Sequence, residues 1–339
     1  MINVRQKNVT RAVIGAAIAL VVLGLGAAVW LKARQASAPR LRVSIALPVQ
    51  LSAGSLFIAA DRQLFTQQGL QVDLKRFLLG KQALQTVLDG KSDLALVADT
   101  PFMHAVLRGE HIAALATVFE SRRTMAVVGR RDAGITTVAS LKGKRVGTVV
   151  GTNAEFFLDT LLDVNDIAQS DVMVESLVAG QLVAALKEKK VDAVTVWHPD
   201  RARLALEMGA DTVTLQGEDI FVYRFLLVGR KAYIQEHQEE MRRVLAALKA
   251  SNTYISEHPQ EARTALGTAI GVPAAQLEQA FDPSDHTLVL DQSLLIALSA
   301  QARWAIAKGG VTAAVPEYLA FIRSEPLHAV APEADRIIR

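Results

Sequence analysis

Four short stretches of this chain put glycine and small polar residues where a strand gives way to a helix. They are Ser52, Gly54 and Ser55; Gly80 and Lys81; Asp99 and Thr100, ahead of Pro101; and Gly151, Thr152 and Asn153. The first turn of a helix leaves backbone N–H groups unpaired, and their partial positive charge suits an anionic group. In open α/β sheets ligands settle at such places, beyond the carboxyl ends of the strands. The same residues have an ordinary use as well, since Ser55, Thr152 and Asn153 are types that cap their own helices. The two uses are compatible, because one cap leaves several N–H groups free. Trp197 ends an apolar strand ahead of His198-Pro199-Asp200 and is expected at the strand-end crevice, with packing beneath it as the alternative. Glu120 ends another strand and is a further candidate. These groups disagree on ligand charge: Lys81 and the helix ends favour an anion, whereas Asp99, Glu120 and Asp200 favour a cation, and a zwitterion satisfies both.

Patterns that would make the chain an enzyme are missing. There is no H-E-x-x-H, G-x-S-x-G, P-loop or G-x-G-x-x-G. The seven histidines form no i,i+4 ligand pair. With no cysteine, the chain has no disulfide framework, zinc-thiolate site, cysteine nucleophile or lipid-modified cysteine anchor. No catalytic residue, metal site or cofactor is expected.

Positioning those junctions takes strands alternating with helices. Leu41–Leu47 and Val72–Phe77 read as strands, with a helix between them over Leu56–Gln68. A helix over Lys81–Asp89 and a strand over Leu94–Val97 follow, which implies βαβ units and a mostly parallel sheet. The order then recurs. "LGKQALQTVLDGKSDLALVADTP" (Leu79–Pro101) and "AGQLVAALKEKKVDAVTVWHP" (Ala179–Pro199) both run glycine, apolar helix, basic turn, aspartate, apolar strand, proline. Two lobes on one plan is the reading, although any two βαβ units share some of this pattern. The apolar strands Met125–Gly129 and Phe225–Gly229 have similar texture and bracket the second lobe. From Tyr233 onward the periodicity is helical, over 241–254, 274–280, 294–307 and 316–322, as a return to the first lobe.

Ahead of these elements lies a basic and apolar leader. Arg5, Lys7 and Arg11 precede a charge-free run from Ala12 to Leu31, long enough to cross a bilayer as a helix. It reads equally as a signal peptide, cut after Ala36-Ser37-Ala38, or as an uncleaved anchor, since Pro39 hinders such a cut. Both readings put residues 41–339 beyond the membrane. Of the 37 basic residues, five lie within residues 1–38, which leaves 32 against 34 acidic in the remainder. A near-neutral body disfavours nucleic-acid binding.

The segments "SAGSLFIAADRQLFTQQGLQVDL" (Ser52–Leu74), "GKSDLALV" (Gly90–Val97), "LKGKRVGTVVGTNAEFFL" (Leu141–Leu158) and "VDAVTVWHP" (Val191–Pro199) occur in that order. In this the chain resembles ABC-transporter substrate-binding proteins of the nitrate, sulfonate and taurine group, which includes thiamine-precursor binders. The resemblance covers about 41–260 well and the remainder loosely. It implies an α/β fold of the type II periplasmic-binding kind, with mixed, mostly parallel sheets, two hinge crossings and a ligand between the lobes. It also implies a tryptophan at position 197 against the ligand. The expected division is 1–40 leader and linker, 41–121 with 229–339 as lobe 1, and 122–228 as lobe 2. The implied role is capture of a small polar solute, sulfonate- or nitrate-like, for an ABC permease and its ATPase in the periplasm. A membrane-tethered sensor or adaptor of the same fold is the alternative. A fungal thiamine-pyrimidine synthase of this fold relies on a cysteine-rich motif, which this chain lacks.

Overall fold

Runs of β-branched and aliphatic residues between glycine-marked or charged turns make the strands, and the helices that separate them permit parallel pairing. A computed structural model describes residues 40–338 except 218, 279 and 310–312. The expected membrane-crossing run at 12–31 and its cleavage site lie outside the described residues. Among the described residues no helix is long and apolar enough to cross a membrane.

The chain enters through β1 (Leu41–Pro48), α1 (Gly54–Asp61), α2 (Leu64–Gln67) and β2 (Leu70–Phe77). It continues with α3 (Gly80–Leu88), β3 (Leu94–Ala98), α4 (Asp99–Leu107) and β4 (Ile112–Ser121). After a short crossing come β5 (Ala126–Arg130), β6 (Arg145–Thr148), α5 (Asn153–Asp163) and β7 (Met173–Ser176). Then follow α6 (Leu182–Lys187), β8 (Ala193–Val196), α7 (Asp200–Met208) and β9 (Thr212–Gln216). The chain returns through β10 (Tyr223–Arg230), α8 (Lys231–Glu236), α9 (Gln238–Glu257) and α10 (Pro259–Ile270). It ends with β11 (Leu290–Asp291), α11 (Gln292–Ala307), α12 (Glu325–Val330) and β12 (Asp335–Arg336).

Two five-stranded sheets result, ordered β2-β1-β3-β10-β4 and β7-β6-β8-β5-β9. Their wiring matches strand for strand. β1 pairs with β3, and β6 with β8, in parallel. The fourth strand of each sheet is antiparallel to both neighbours: β10 between β3 and β4, β5 between β8 and β9. Each odd strand is laid down by the chain just after it crosses from the other sheet. β10 is taken whole by the first sheet, so the second crossing lies at 217–222, and a boundary at 228/229 would cut that strand. The similar texture of β5 and β10 reflects equivalent places in two sheets, not two ends of one lobe.

The repeated "basic turn, aspartate" of the sequence has one structural purpose in both sheets. The Asp93 carboxylate accepts from the Ser44 N–H at 2.8 Å, and the Asp93 N–H returns to the Ser44 carbonyl. Asp192 accepts from the Arg145 N–H at 3.0 Å, and its own N–H returns to the Arg145 carbonyl. Each aspartate thus pins the start of its strand to the neighbour. Burial would raise the Asp192 carboxyl, but hydrogen bonds from Arg145 and Arg130 outweigh it and hold the group at about 2.

β3 is buried along its whole length, as a central strand covered on both faces must be. α9 packs on α1, where the Ser55 hydroxyl donates to Asn252 at 2.6 Å and the Ser251 hydroxyl donates to the Ser55 carbonyl at 2.7 Å. α11 packs on α4. Three expected helices differ. The helix over 56–68 breaks at Gln63, whose φ of 57° is left-handed, and among the described residues the stretches at 274–280 and 316–322 contain only the 3₁₀ turns Ala274–Leu277 and Tyr318–Phe321.

Candidate ligand cleft

The carboxyl ends of the two sheets meet around a small cavity of about 20 Å³. From the first sheet come Gln50, just past β1, Leu79-Gly80-Lys81 at the start of α3, and Ala98 and Pro101 across the end of β3. Tyr223 and Phe225 add two rings from the start of β10. From the second sheet come Thr152 and Asn153 at the start of α5 and Trp197 at the end of β8.

Local chemistry explains these placements. Leu79 is the extended cap of α3, its N–H received by the Gln82 side chain at 3.1 Å. Gly80 follows because the helix start presses on β3: a Cβ there would lie 3.1 Å from both the Leu96 carbonyl oxygen and the Val97 Cα. On the other side Gly151 turns the chain with a φ of 72°, which glycine adopts without the steric cost of a side chain. Thr152 then caps α5, accepting from the Ala154 N–H at 3.2 Å and donating to the Val149 carbonyl at 2.6 Å. The Glu155 carboxylate takes the Gly151 N–H at 2.8 Å. Thr152 therefore does act as a cap, and at the same time presents its helix end to the cavity.

Polar groups on the cavity wall are only partly satisfied. The Tyr223 hydroxyl donates to the Gln50 side-chain oxygen at 3.3 Å. Burial pushes the Tyr223 phenol well above its usual range, opposed by Asn153 alongside it. The Asn153 amide nitrogen is buried without a hydrogen-bond partner, and such a donor is costly to leave unpaired. Trp197 is only 6% exposed. Lys81 is the one charged side chain among the lining residues. Among the described residues neither a carboxylate nor an imidazole lines the cavity. His198, next in sequence to Trp197, is held at about 3 by burial and by the Arg201 and Arg123 charges, so it stays neutral.

Of the residues singled out from sequence, five come together here: Gly80, Lys81, Thr152, Asn153 and Trp197. The other six do not line the cavity. The chain leaves β1 through a 3₁₀ turn, Leu51–Ala53, whose three residues are all buried, and Ser52 is not among the lining residues. Gly54 lies under the His286 ring, and Ser55 is tied to α9. Asp99 points away toward α11, its carboxylate taken by the Gln301 amide at 2.8 Å and the Thr100 N–H at 2.9 Å, and Thr100 is buried beside it. Glu120 is paired with Arg224 at 2.7 Å and lines a separate cavity of about 490 Å³ formed by the crossing segments. Asp99, Glu120 and Asp200, the acidic groups that favoured a cation, are thus all absent from the cavity lining. Sequence reasoning missed Gln50, Tyr223 and Phe225; an amide directly beyond a strand and paired aromatics at a strand start were the available signals.

The lobes also touch beside the cavity. At the end of α11, Trp304 donates its indole N–H to Asp159 on α5 at 2.8 Å. Lys308 donates to Asp159 at 2.7 Å and to Glu155 at 2.6 Å. The Trp304 ring meets Phe156 edge-on at 5.2 Å and His104 at 6.0 Å. Helices from different sheets are clasped here by a tryptophan and a lysine sharing one carboxylate.

Comparison with known proteins agrees with this architecture. A protein of Brucella abortus (strain 2308) named "Putative binding protein" is 22% identical over 200 residues, 58% of this chain and 61% of that protein. The match thus spans under two thirds of that relative's length. The periplasmic aliphatic sulphonate binding protein SsuA of Escherichia coli superposes with a TM-score of 0.74 at 18% identity, covering 83% of this chain and 97% of that one. The alkanesulfonate-binding protein SsuA of Xanthomonas axonopodis pv. citri, solved bound to MOPS, superposes with a TM-score of 0.75 at 20% identity, covering 85% and 100%. The family profile described as NMT1/THI5 like matches residues 51–262. The chain belongs to the NMT1/THI5-like family and has the two-lobed periplasmic-binding-protein fold.

Proposed function

We propose that this protein is the extracytoplasmic receptor of an ABC importer and that it captures a small oxyanion, of the sulfonate class, between its lobes without changing it. The carrying observation is the charge of the cavity wall: among the described residues Lys81 is its one charged side chain, flanked by the unpartnered Asn153 amide and the starts of α3 and α5. Every one of these groups donates to, or attracts, negative oxygen. The names of the fold relatives, two of them sulfonate-binding proteins, support the same class.

A cavity of about 20 Å³ has room for about one water molecule. A sulfonate therefore enters with the lobes apart and is enclosed as they close about the crossings at 122–125 and 217–222. Gln50, Lys81 and Tyr223 hold it from the first lobe; Thr152, Asn153 and Trp197 reach it from the second on closure. A base fit to abstract a proton near neutral pH is absent from the lining, which suits a receptor better than a catalyst. The leader at 12–31 delivers the lobes across the cytoplasmic membrane and, if retained, tethers them beside the permease that receives the closed form.

Calorimetric titration of the purified protein with ethanesulfonate, MOPS and nitrate, and with ethylamine and choline as cations, tests this. The sulfonates are expected to bind and to be recovered unchanged by NMR. Binding by the cations alone, or chemical conversion of a bound sulfonate, would refute it.

A further inference from the structure

A second cavity, of about 260 Å³, adjoins the first and shares Lys81 and Pro101 with it. Its wall carries Lys81 on α3 and, one turn apart on α4, His104 and Arg108, with Gly151 of the second lobe opposite. A Cβ built on Gly151 would lie 3.8 Å from the Lys81 ammonium, so that cation stands where the two cavities and the two lobes meet.

Among the described residues, the charged side chains that line this cavity are basic and no carboxylate lines it. Neither the Lys81 nor the Arg108 side chain has a hydrogen bond or ion pair among the described residues, whereas other exposed basic groups, such as Lys91 and Arg203, are paired with Asp89 and Glu207. His104 adds a ring nitrogen, Nε2, that is buried and without a partner. Lys81 and Arg108 are exposed and open to water, but the two cations repel each other across one void, and the buried imidazole nitrogen beside them is left unsatisfied. An anionic group placed between them would relieve both.

We propose that this mouth cavity is a second anion subsite, so that the preferred ligands are short organic dianions: a sulfonate held in the inner cavity and a second acidic group, carboxylate or sulfonate, held at the mouth by Arg108 and His104. Lys81 bridges the two groups. The inference rests on the sulfonate reading above and narrows it from simple alkanesulfonates to bifunctional acids. Arg108 is then a specificity-determining residue, exposed at the end of α4 and outside the inner cavity.

The test compares three ligands of similar length on the full chain by calorimetry: sulfoacetate, a dianion; ethanesulfonate, which lacks the second charge; and taurine, which reverses it. Sulfoacetate is expected to bind at least about tenfold more tightly than ethanesulfonate, with taurine weakest. Arg108→Gln should bring sulfoacetate down to the ethanesulfonate level while leaving ethanesulfonate affinity and Tm unchanged. Equal affinity for the mono- and dianion, or an equal loss of both in R108Q, would overturn the mouth subsite and leave the sulfonate reading intact. Failure of all three sulfonates to bind would overturn both.

Discussion

Trp304→Phe is the substitution that most directly separates closure from folding. Phenylalanine keeps the ring edge against Phe156 and His104 and removes one thing, the indole N–H that Asp159 receives at 2.8 Å. The Asp159 side chain is 4% exposed and so depends on its protein partners. A hydrogen bond to a charged group contributes about 1.5–3 kcal/mol. Lys308 remains as the second donor and is one-third exposed, so water can partly replace the lost bond, and the lower part of that range applies. The proposed opening would part α5 from α11 and hydrate Asp159, so the whole loss would then fall on the closed form. A cost of about 1.5–2 kcal/mol lowers the closed-to-open ratio by about 10–30-fold, and ligand affinity falls by up to that factor as the competent population shrinks. The chain has no cysteine, so dyes on introduced cysteines at the exposed Lys91 and Lys142 report the interlobe distance without background. W304F should shift that distance outward without ligand, weaken sulfonate binding and leave Tm within a degree or two. An unchanged distance and an unchanged affinity would refute the clasp as a determinant of closure.

Two further substitutions test other parts of the structure. Gly54 has ordinary helical backbone, but a Cβ there would lie 2.2 Å from His286 Nε2, and that ring is wedged between Phe119 and Phe281. Gly54→Ala should cost about 1–3 kcal/mol, seen as a lower midpoint in urea with unchanged ligand affinity; an unaltered midpoint would refute the packing account. Asp99 is fully buried, and burial, opposed by Arg224 and by its hydrogen bonds from Gln301 and Thr100, raises its carboxyl to about 6 from 3.8. The folded protein therefore holds a proton that the unfolded chain has released between pH 4 and 6, so this group's contribution to stability falls as pH rises through that window, by about 3 kcal/mol in all. Asp99→Asn lacks this loss, and its stability relative to the parent should improve from pH 4 to pH 7 in denaturant titrations; a difference that is flat with pH would rule the buried acid out.

The legible parts of the sequence were those whose signal is local. The strand at Ala193–Val196 and the repeated Gly–helix–Asp–strand unit depend on residues within one βαβ stretch, and the structure reproduces them closely. The lysine, threonine, asparagine and tryptophan of the cleft were readable for the same reason, since each sits at a strand end visible in sequence. What was not legible depends on distant pairing. β10 is buried along nearly its whole length with β3 and β4 paired to its two edges, and nothing within Tyr223–Arg230 reveals which sheet claims it. Tyr223 and Phe225 were lost with that assignment. Ser52, Gly54 and Ser55 have the composition of a ligand loop, yet the 3₁₀ turn after β1 rotates them into the core and leaves Gln50 on the rim. Asp99 misled for a related reason: its position at a helix start is right, but its rotation about that helix faces Gln301.

The matched wiring of the two sheets also constrains how the site works. Each lobe supplies one strand-end crevice, and Asp93 and Asp192 fix the strand starts in each with the same pair of backbone bonds. Those carboxylates fix the strand starts, at the end of each sheet away from its crevice, and so stiffen each lobe as a unit that closure can move without rebuilding. The cavity wall reflects this division. Lys81, on the first lobe, supplies the charge; Thr152, Asn153 and Trp197, on the second, supply a helix end, an unpaired amide and an aromatic face. On the proposed reading, charge on one side and neutral donors on the other would let an anion bind first to the lysine and then be enclosed. Neither lobe alone completes the set, so on that reading affinity and closure would be the same event, and a clasp such as Trp304–Asp159 would tune binding from outside the cavity.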